Sequence, residues 1–484
     1  MEKNILSLEP KALWGFFGDV CSIPHPSGHE AALRDYVVTF AQKNNIDCTV
    51  DTAGNVILRK PATPGMESRK GIILQAHLDM VPQKNGDKVF DFEKDAIEPY
   101  VDGEWVRARG TTLGADNGVG LAAILAVFAA DDIKHGPVEA LLTVAEETGM
   151  YGAFGLKAGL LEGDILMNLD SEDEGELYVG CAGGLDANIT FNYKESPAPE
   201  GFMAVKLEVK GLLGGHSGIQ IVTQRANANK LLFRFLDMQS RKGELLLASV
   251  DGGGLRNAIP REATAVALVP AARVAEVLSD AKEYLETVTK EFEGIEEGIS
   301  FAAAETETPA TVIASGLDII RAIHCAPNGV IRMSASMEGL VQTSTNLARV
   351  ASDAGKVKIQ CLLRSSVNSE KDDLGMMFSS LFELAGAEVE LSGAYDGWNP
   401  NMESPILHTM IESYERLYGR KPAVMAIHAG LECGIIGGPY PNLDMISFGP
   451  TIRFPHSPDE KVETASVQKF WDFLCFTLGN APEK

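Results

Sequence analysis

Over its first 185 residues the chain alternates short, continuously apolar runs with longer runs of helical texture. GNVILRK (54–60), GIILQAHLDMV (71–81), EALLTVAEE (139–147) and DILMNLD (164–170) are rich in Ile, Leu and Val and predict strands. GVGLAAILAVFAAD (118–131) and GAFGLKAGLL (152–161) predict helices between them. Apolar strands alternating with helices predict an α/β unit whose sheet is covered on both faces and contains several parallel strands. Functional side chains of such sheets gather at the carboxyl ends of the strands.

After GCAGG (180–184) the pattern changes. MAVKLEVKG (203–211) and KVKIQCLLRS (356–365) read as alternating strands, and QRANANKLLFRFLDMQ (224–239) and VAEVLSDAKEYLETVTKEFEG (274–294) as amphipathic helices. Residues 186–392 are expected to form a second, α+β domain, with room for two similar halves although no repeat is legible. Helix and strand signals return after 393 in SPILHTMIESYERLYG and LDMISFGP. Residues 393–484 can complete the domain begun by 1–185, which makes 186–392 an insertion.

The length of 484 residues fits two or three domains, and 45% hydrophobic with 23% charged residues is an ordinary globular composition. A net charge of −25 argues against nucleic acid or an anionic membrane surface as partner. The longest apolar run, LAAILAVFAA (121–130), is too short to span a bilayer, and MEKNILSLEPKALWGFF lacks the apolar core of a signal peptide. Seven scattered cysteines without a CxxC fit a reducing compartment. A cytoplasmic protein is expected.

Chemistry-bearing residues cluster at the ends of the apolar runs. IILQAHLDM ends in His77 and Asp79, TTLGADNGVG sets Asp116 in a Gly-rich turn before a helix, LLTVAEE ends in Glu146 and Glu147, and ILMNLD ends at Asp170. Each has an ordinary explanation: HxD pairs are often structural, an Asp before a helix is a cap, and paired glutamates mark solvated faces. Together they lie about one strand–helix–strand step apart, which returns them to one sheet edge. Carboxylates converging there would raise one another's pKa unless a divalent cation relieved the conflict. Mixed His and carboxylate ligands suit zinc, cobalt or manganese better than magnesium or calcium.

QAHLDMVP, TTLGADNGVG, TVAEETGMYGAFGL, NLDSE and GGHSG as a set resemble the co-catalytic dizinc metallopeptidases of the acetylornithine deacetylase and peptidase T type. IPHPSGHE (23–30), HAGLECG (428–434) and FPHSPDE (454–460) narrow the resemblance to the aminoacyl-histidine dipeptidase branch. The resemblance implies a zinc-exopeptidase-like catalytic domain, with a mixed, largely parallel sheet, and an inserted α+β lid. It implies two divalent metal ions bridged by Asp116, with His77 and Asp170 completing one site and Glu147 and His456 the other. Asp79 would accept the second N–H of His77, and Glu146 would be the general base. His216 in GLLGGHSG would stabilise the oxyanion, Arg364 would meet the substrate carboxylate, Asn257 its backbone and Glu432 its α-amino group. Where Asp170 stands, relatives often carry Glu; Asp fits the aminopeptidase and dipeptidase side.

The expected activity is metal-dependent hydrolysis of dipeptides with a free N-terminus, broad in specificity and including carnosine-like Xaa-His dipeptides. A tripeptidase or N-acyl amino acid deacylase on the same scaffold is the alternative enzyme, and a metal-stabilised binding protein the non-enzymatic one. Single-lid relatives dimerise and exchange a lid histidine. A lid as long as 186–392 has room to supply His216 within the chain, and leaves a homodimer open.

Overall fold

Ile72–His77 is buried at every position, which explains why it reads as an unbroken apolar run. In the computed structural model, which describes residues 4–484, this strand lies parallel to Val138–Thr143 on one side and Ile165–Asn168 on the other. Asp444–Ser447, from near the end of the chain, adds a fourth parallel strand beside Ile165–Asn168. Asp47–Val50 and Val56–Lys60 extend one flank antiparallel, and Glu176–Cys181 and Ala423–Ile427 extend the other, giving an eight-stranded mixed sheet. The helix Ala115–Ala129 is buried from Asn117 to Phe128 and packs on both Lys11–Ser22 and Ile72–His77. A helix that is apolar all round requires such a position.

Two predicted elements end early. The strand expected through 147 stops at Thr143, because the chain turns at Ala145 with a left-handed φ of 52°. The helix expected over 152–161 is only Tyr151–Gly155, where Gly152, Gly155 and Gly159 weaken helix propagation.

The chain divides into two compact units. The first comprises the chain up to Gly180 with Pro400–Ala426 and Leu431–Lys484; the second comprises Cys181–Asn399 with Ile427–Gly430. In the second, nine strands form one sheet joined by antiparallel pairings. Ala228–Lys242, Val274–Glu291, Gly316–Cys325 and Asn368–Leu384 are its main helices, and their buried faces share one core with the sheet, including Phe233, Phe235, Phe378 and Phe382. No helix among the described residues is long and apolar enough to cross a membrane, and none of the seven cysteines forms a disulfide.

Candidate metal centre

Asp116 stands between two histidines, with a different oxygen turned to each. Its Oδ1 is 3.1 Å from His77 Nε2 and its Oδ2 is 3.2 Å from His456 Nε2. Asp170 Oδ1 lies 3.4 Å from His77 Nε2, and Glu147 Oε2 lies 3.0 Å from His456 Nε2. Two donor sets result, His77–Asp116–Asp170 and Asp116–Glu147–His456, each with ligand atoms within 4.8 Å of one another. Glu146 joins His77 and Glu147 in a third such group.

The backbone explains how the carboxylates reach this point. Asp116 lies in the first turn of Ala115–Ala129 but has non-helical angles, so its side chain leaves the helix axis. His77 ends its strand, and its Nδ1 faces the backbone carbonyl of Asp79 at 2.9 Å, with Asp79 Oδ1 farther at 3.4 Å. That contact puts the Nδ1 proton on the carbonyl and leaves Nε2 as a lone-pair donor. The Asp79 carboxylate also reaches the loop that follows Thr143: Oδ1 accepts the peptide N–H of Glu146 at 3.0 Å, and Oδ2 accepts from the peptide N–H of Glu147 at 3.1 Å and the Ser27 hydroxyl at 2.7 Å. Glu30 Oε1 accepts the N–H of Ala145 at 3.1 Å. The IPHPSGHE stretch thus braces the loop that carries the paired glutamates.

The charges fit cations. Burial would lower the His77 pKa, yet Asp170, Asp116 and Asp79 hold it well above the ordinary histidine value. Asp116 and Glu147 raise His456 to about 11. Burial raises Glu146 well above the usual carboxylate range, and Asp170, Glu432 and Glu147 add to the effect. Burial also raises Asp170 to about 6. The buried Oε1 of Glu147 has no hydrogen-bond partner. Two imidazoles and three carboxylates, one of them with an unpartnered buried oxygen, are a donor set that could hold two divalent ions.

Glu432 is only 1% exposed; its Oε2 accepts from Gln75 Nε2 at 2.6 Å and Thr143 Oγ1 at 2.8 Å, while Oε1 is unpartnered. Cys433 beside it is fully buried. The remaining expected residues lie in the second unit. His216 Nδ1 accepts the N–H groups of Gly218 and Ile219, each at 3.1 Å, so its proton sits on Nε2 as a donor. Arg364 is buried, with Nη1 donating to Tyr395 Oη at 3.2 Å and Nε unpartnered. His428, whose pKa is lowered by burial and by the Arg364 charge, exchanges a 2.7 Å hydrogen bond with Ser344. Asn257 is exposed, and its carbonyl accepts the N–H of Ser217 at 2.9 Å, tying down the GGHSG turn.

Comparison with known proteins shows the family. The family description "Peptidase family M20/M25/M40" matches residues 73–479, a range that includes the candidate ligands from His77 to His456. The chain belongs to this peptidase family. It is 49% identical over 483 residues to the cytosol non-specific dipeptidase of Escherichia coli (strain K12), covering 99% of this chain and 100% of the relative. The aminoacylhistidine dipeptidase structure from Vibrio alginolyticus superposes with a TM-score of 0.96 at 52% identity, covering 100% of this chain and 99% of that one. The aminopeptidase PepT structure from Bacillus cereus shares the fold, with a TM-score of 0.57 at 15% identity over 98% of both chains. The α/β fold with its mixed central sheet is therefore that of the M20 peptidases.

In this M20 peptidase several supporting residues escaped the motif reading. Gln75, Asn168, Ser447 and Ser171 form a buried hydrogen-bonded line across the sheet beneath the centre. Gln75 and Asn168 lie within the predicted strands, where they are single polar residues in the otherwise apolar runs IILQA and ILMNL. Glu460, within FPHSPDE, is 2% exposed and accepts backbone N–H groups from the Asp116 turn. Its sequence neighbours Pro458 and Asp459 resemble a surface loop, so only the fold reveals it.

Proposed function

We propose that this M20 peptidase is a metal-dependent dipeptidase that hydrolyses dipeptides with a free N-terminus, Xaa-His dipeptides among them. The observation that carries the reading is Asp116 facing His77 with one oxygen and His456 with the other, the arrangement of a bridging carboxylate. The names of the two relatives near 50% identity supply the substrate class. His77, Asp116 and Asp170 would hold one divalent ion and Asp116, Glu147 and His456 the other, zinc being the first choice and cobalt or manganese substitutes. Bound there, the ions would supply an acidified water and neutralise charge on the reacting carbonyl.

The protein's own groups do the rest. Glu146 takes the proton of the attacking water and hands it to the leaving amine, a contribution of roughly 10²–10⁴-fold. His216 presents Nε2–H to the developing oxyanion, Arg364 binds the terminal carboxylate, Asn257 a backbone group and Glu432, through its free Oε1, the α-amino group. The cytosol is the proposed compartment, in line with the name of the Escherichia coli relative, and a homodimer the proposed assembly.

A metal-replete substrate panel tests the reading. Free dipeptides should be cleaved well, with tripeptides and N-acetyl amino acids poor. Preference for tripeptides or for acetylated amino acids would replace it with the tripeptidase or deacylase, and a wholly inert panel with a binding protein.

A further inference from the structure

We infer that Glu460 is a positioning residue that fastens the His456 loop to the Asp116 turn, so that the two ligands are set as one unit. This rests on the metal reading above and goes beyond the ligand set. Loop 454–460 joins the short paired strands Ile452–Arg453 and Lys461–Glu463. Its tip is largely exposed: Phe454 is 58% exposed, the His456 side chain 51% exposed, and both residues adopt left-handed φ values of 56° and 59°. Glu460 alone turns fully inward.

Its carboxylate accepts four consecutive peptide N–H groups. Oε2 takes those of Leu113 at 2.7 Å and Gly114 at 3.0 Å, and Oε1 those of Ala115 at 2.8 Å and Asp116 at 3.3 Å. These N–H groups stand at the N-terminus of Ala115–Ala129, whose cap residue Gly114 offers no side chain. Helix N-termini leave such donors without partners and favour an anion. Here that anion belongs to the segment that presents His456. The same carboxylate therefore sets the backbone of Asp116 and, four residues away along the loop, restrains the imidazole whose Nε2 lies 3.2 Å from Asp116 Oδ2.

A residue acting only on stability would change melting and nothing else, so metal affinity is the deciding readout. Metal-free wild type, Glu460→Gln and Glu460→Asp are titrated with Co²⁺ against a chromophoric chelator, with far-UV circular dichroism verifying folding at the assay temperature. Asn227→Ala, which removes the side-chain cap of Ala228–Lys242 in the second unit, serves as a control for lost stability alone. Wild type should bind two ions. Both Glu460 variants should bind the weaker ion roughly 10–100-fold less tightly, with an altered Co²⁺ absorption spectrum, while Asn227→Ala binds as wild type. Glu460→Asp keeps the charge and is the variant read if Glu460→Gln does not fold. Glu460 variants that melt lower but bind both ions as wild type would overturn the inference. Failure of wild type to bind two ions would instead remove the metal reading beneath it.

Discussion

Asp79 grips Glu146 by its backbone: the Asp79 Oδ1 accepts the Glu146 peptide N–H at 3.0 Å while Oδ2 takes that of Glu147 at 3.1 Å. One carboxylate thereby orients two consecutive residues whose side chains serve different ends. The turn at Ala145 has already taken both out of the strand, so neither the pleat nor a helix fixes their direction. Asp79→Asn replaces an acceptor with an amide donor facing an N–H. Turnover or metal affinity should fall roughly 10–100-fold, measured by kcat at saturating metal and by chelator competition. An Asp79→Asn enzyme with unchanged kcat and affinity would remove the grip from the account.

Gly218 leaves room that any side chain would fill. A Cβ there would stand 2.3 Å from the His428 carbonyl, 3.1 Å from His216 Cε1 and 3.3 Å from Arg364 Nε. The carbonyl cannot yield as a flexible side chain would, so Gly218→Ala must displace the turn that orients His216. Displacements near 1 Å at such groups cost about 10²-fold. kcat/KM for a free dipeptide should fall by about that factor while bound metal, measured by atomic absorption, stays at the wild-type level.

His428 makes the second unit acid-sensitive. Burial, and then the charge of Arg364, lower its pKa from 6.5 to about 3, with the Val341 carbonyl working weakly the other way. Between those values the unfolded chain binds a proton here that the folded chain does not. Stability is therefore fully present above about pH 6.5 and is lost as the pH falls towards 3, by up to about 1.4 kcal/mol per pH unit. In urea unfolding of metal-free protein, His428→Gln should lose less stability than wild type between pH 7 and 5, by at most roughly 2 kcal/mol. Parallel pH dependences would show that His428 is protonated without cost.

The strands of the parallel core and the helix Ala115–Ala129 were legible because complete burial leaves no polar face to blur the pattern. His77, Asp116, Glu147 and Asp170 were legible together because strand–helix–strand steps return each of them to one edge. His456 was reachable only through family resemblance, since no local spacing links a residue near the C-terminus to Asp116. Asp79 was expected to serve His77, and its contacts to the backbone of the glutamate pair depend on a turn that the strand-like run through 147 concealed. Glu460 looked like one more acidic residue in a strongly acidic chain. What distinguishes it is burial against four N–H groups distant in sequence, which no local pattern encodes.

The division of labour between the paired glutamates is the centre of the account, and Glu146→Gln tests it most directly. Purified variant and wild type are assayed together for bound metal and for kcat on a free dipeptide. Two metal equivalents retained with kcat reduced roughly 10²–10⁴-fold is the predicted result, with Glu147→Gln losing metal instead. A Glu146→Gln enzyme that turns over like wild type, or that loses its metal, would contradict it.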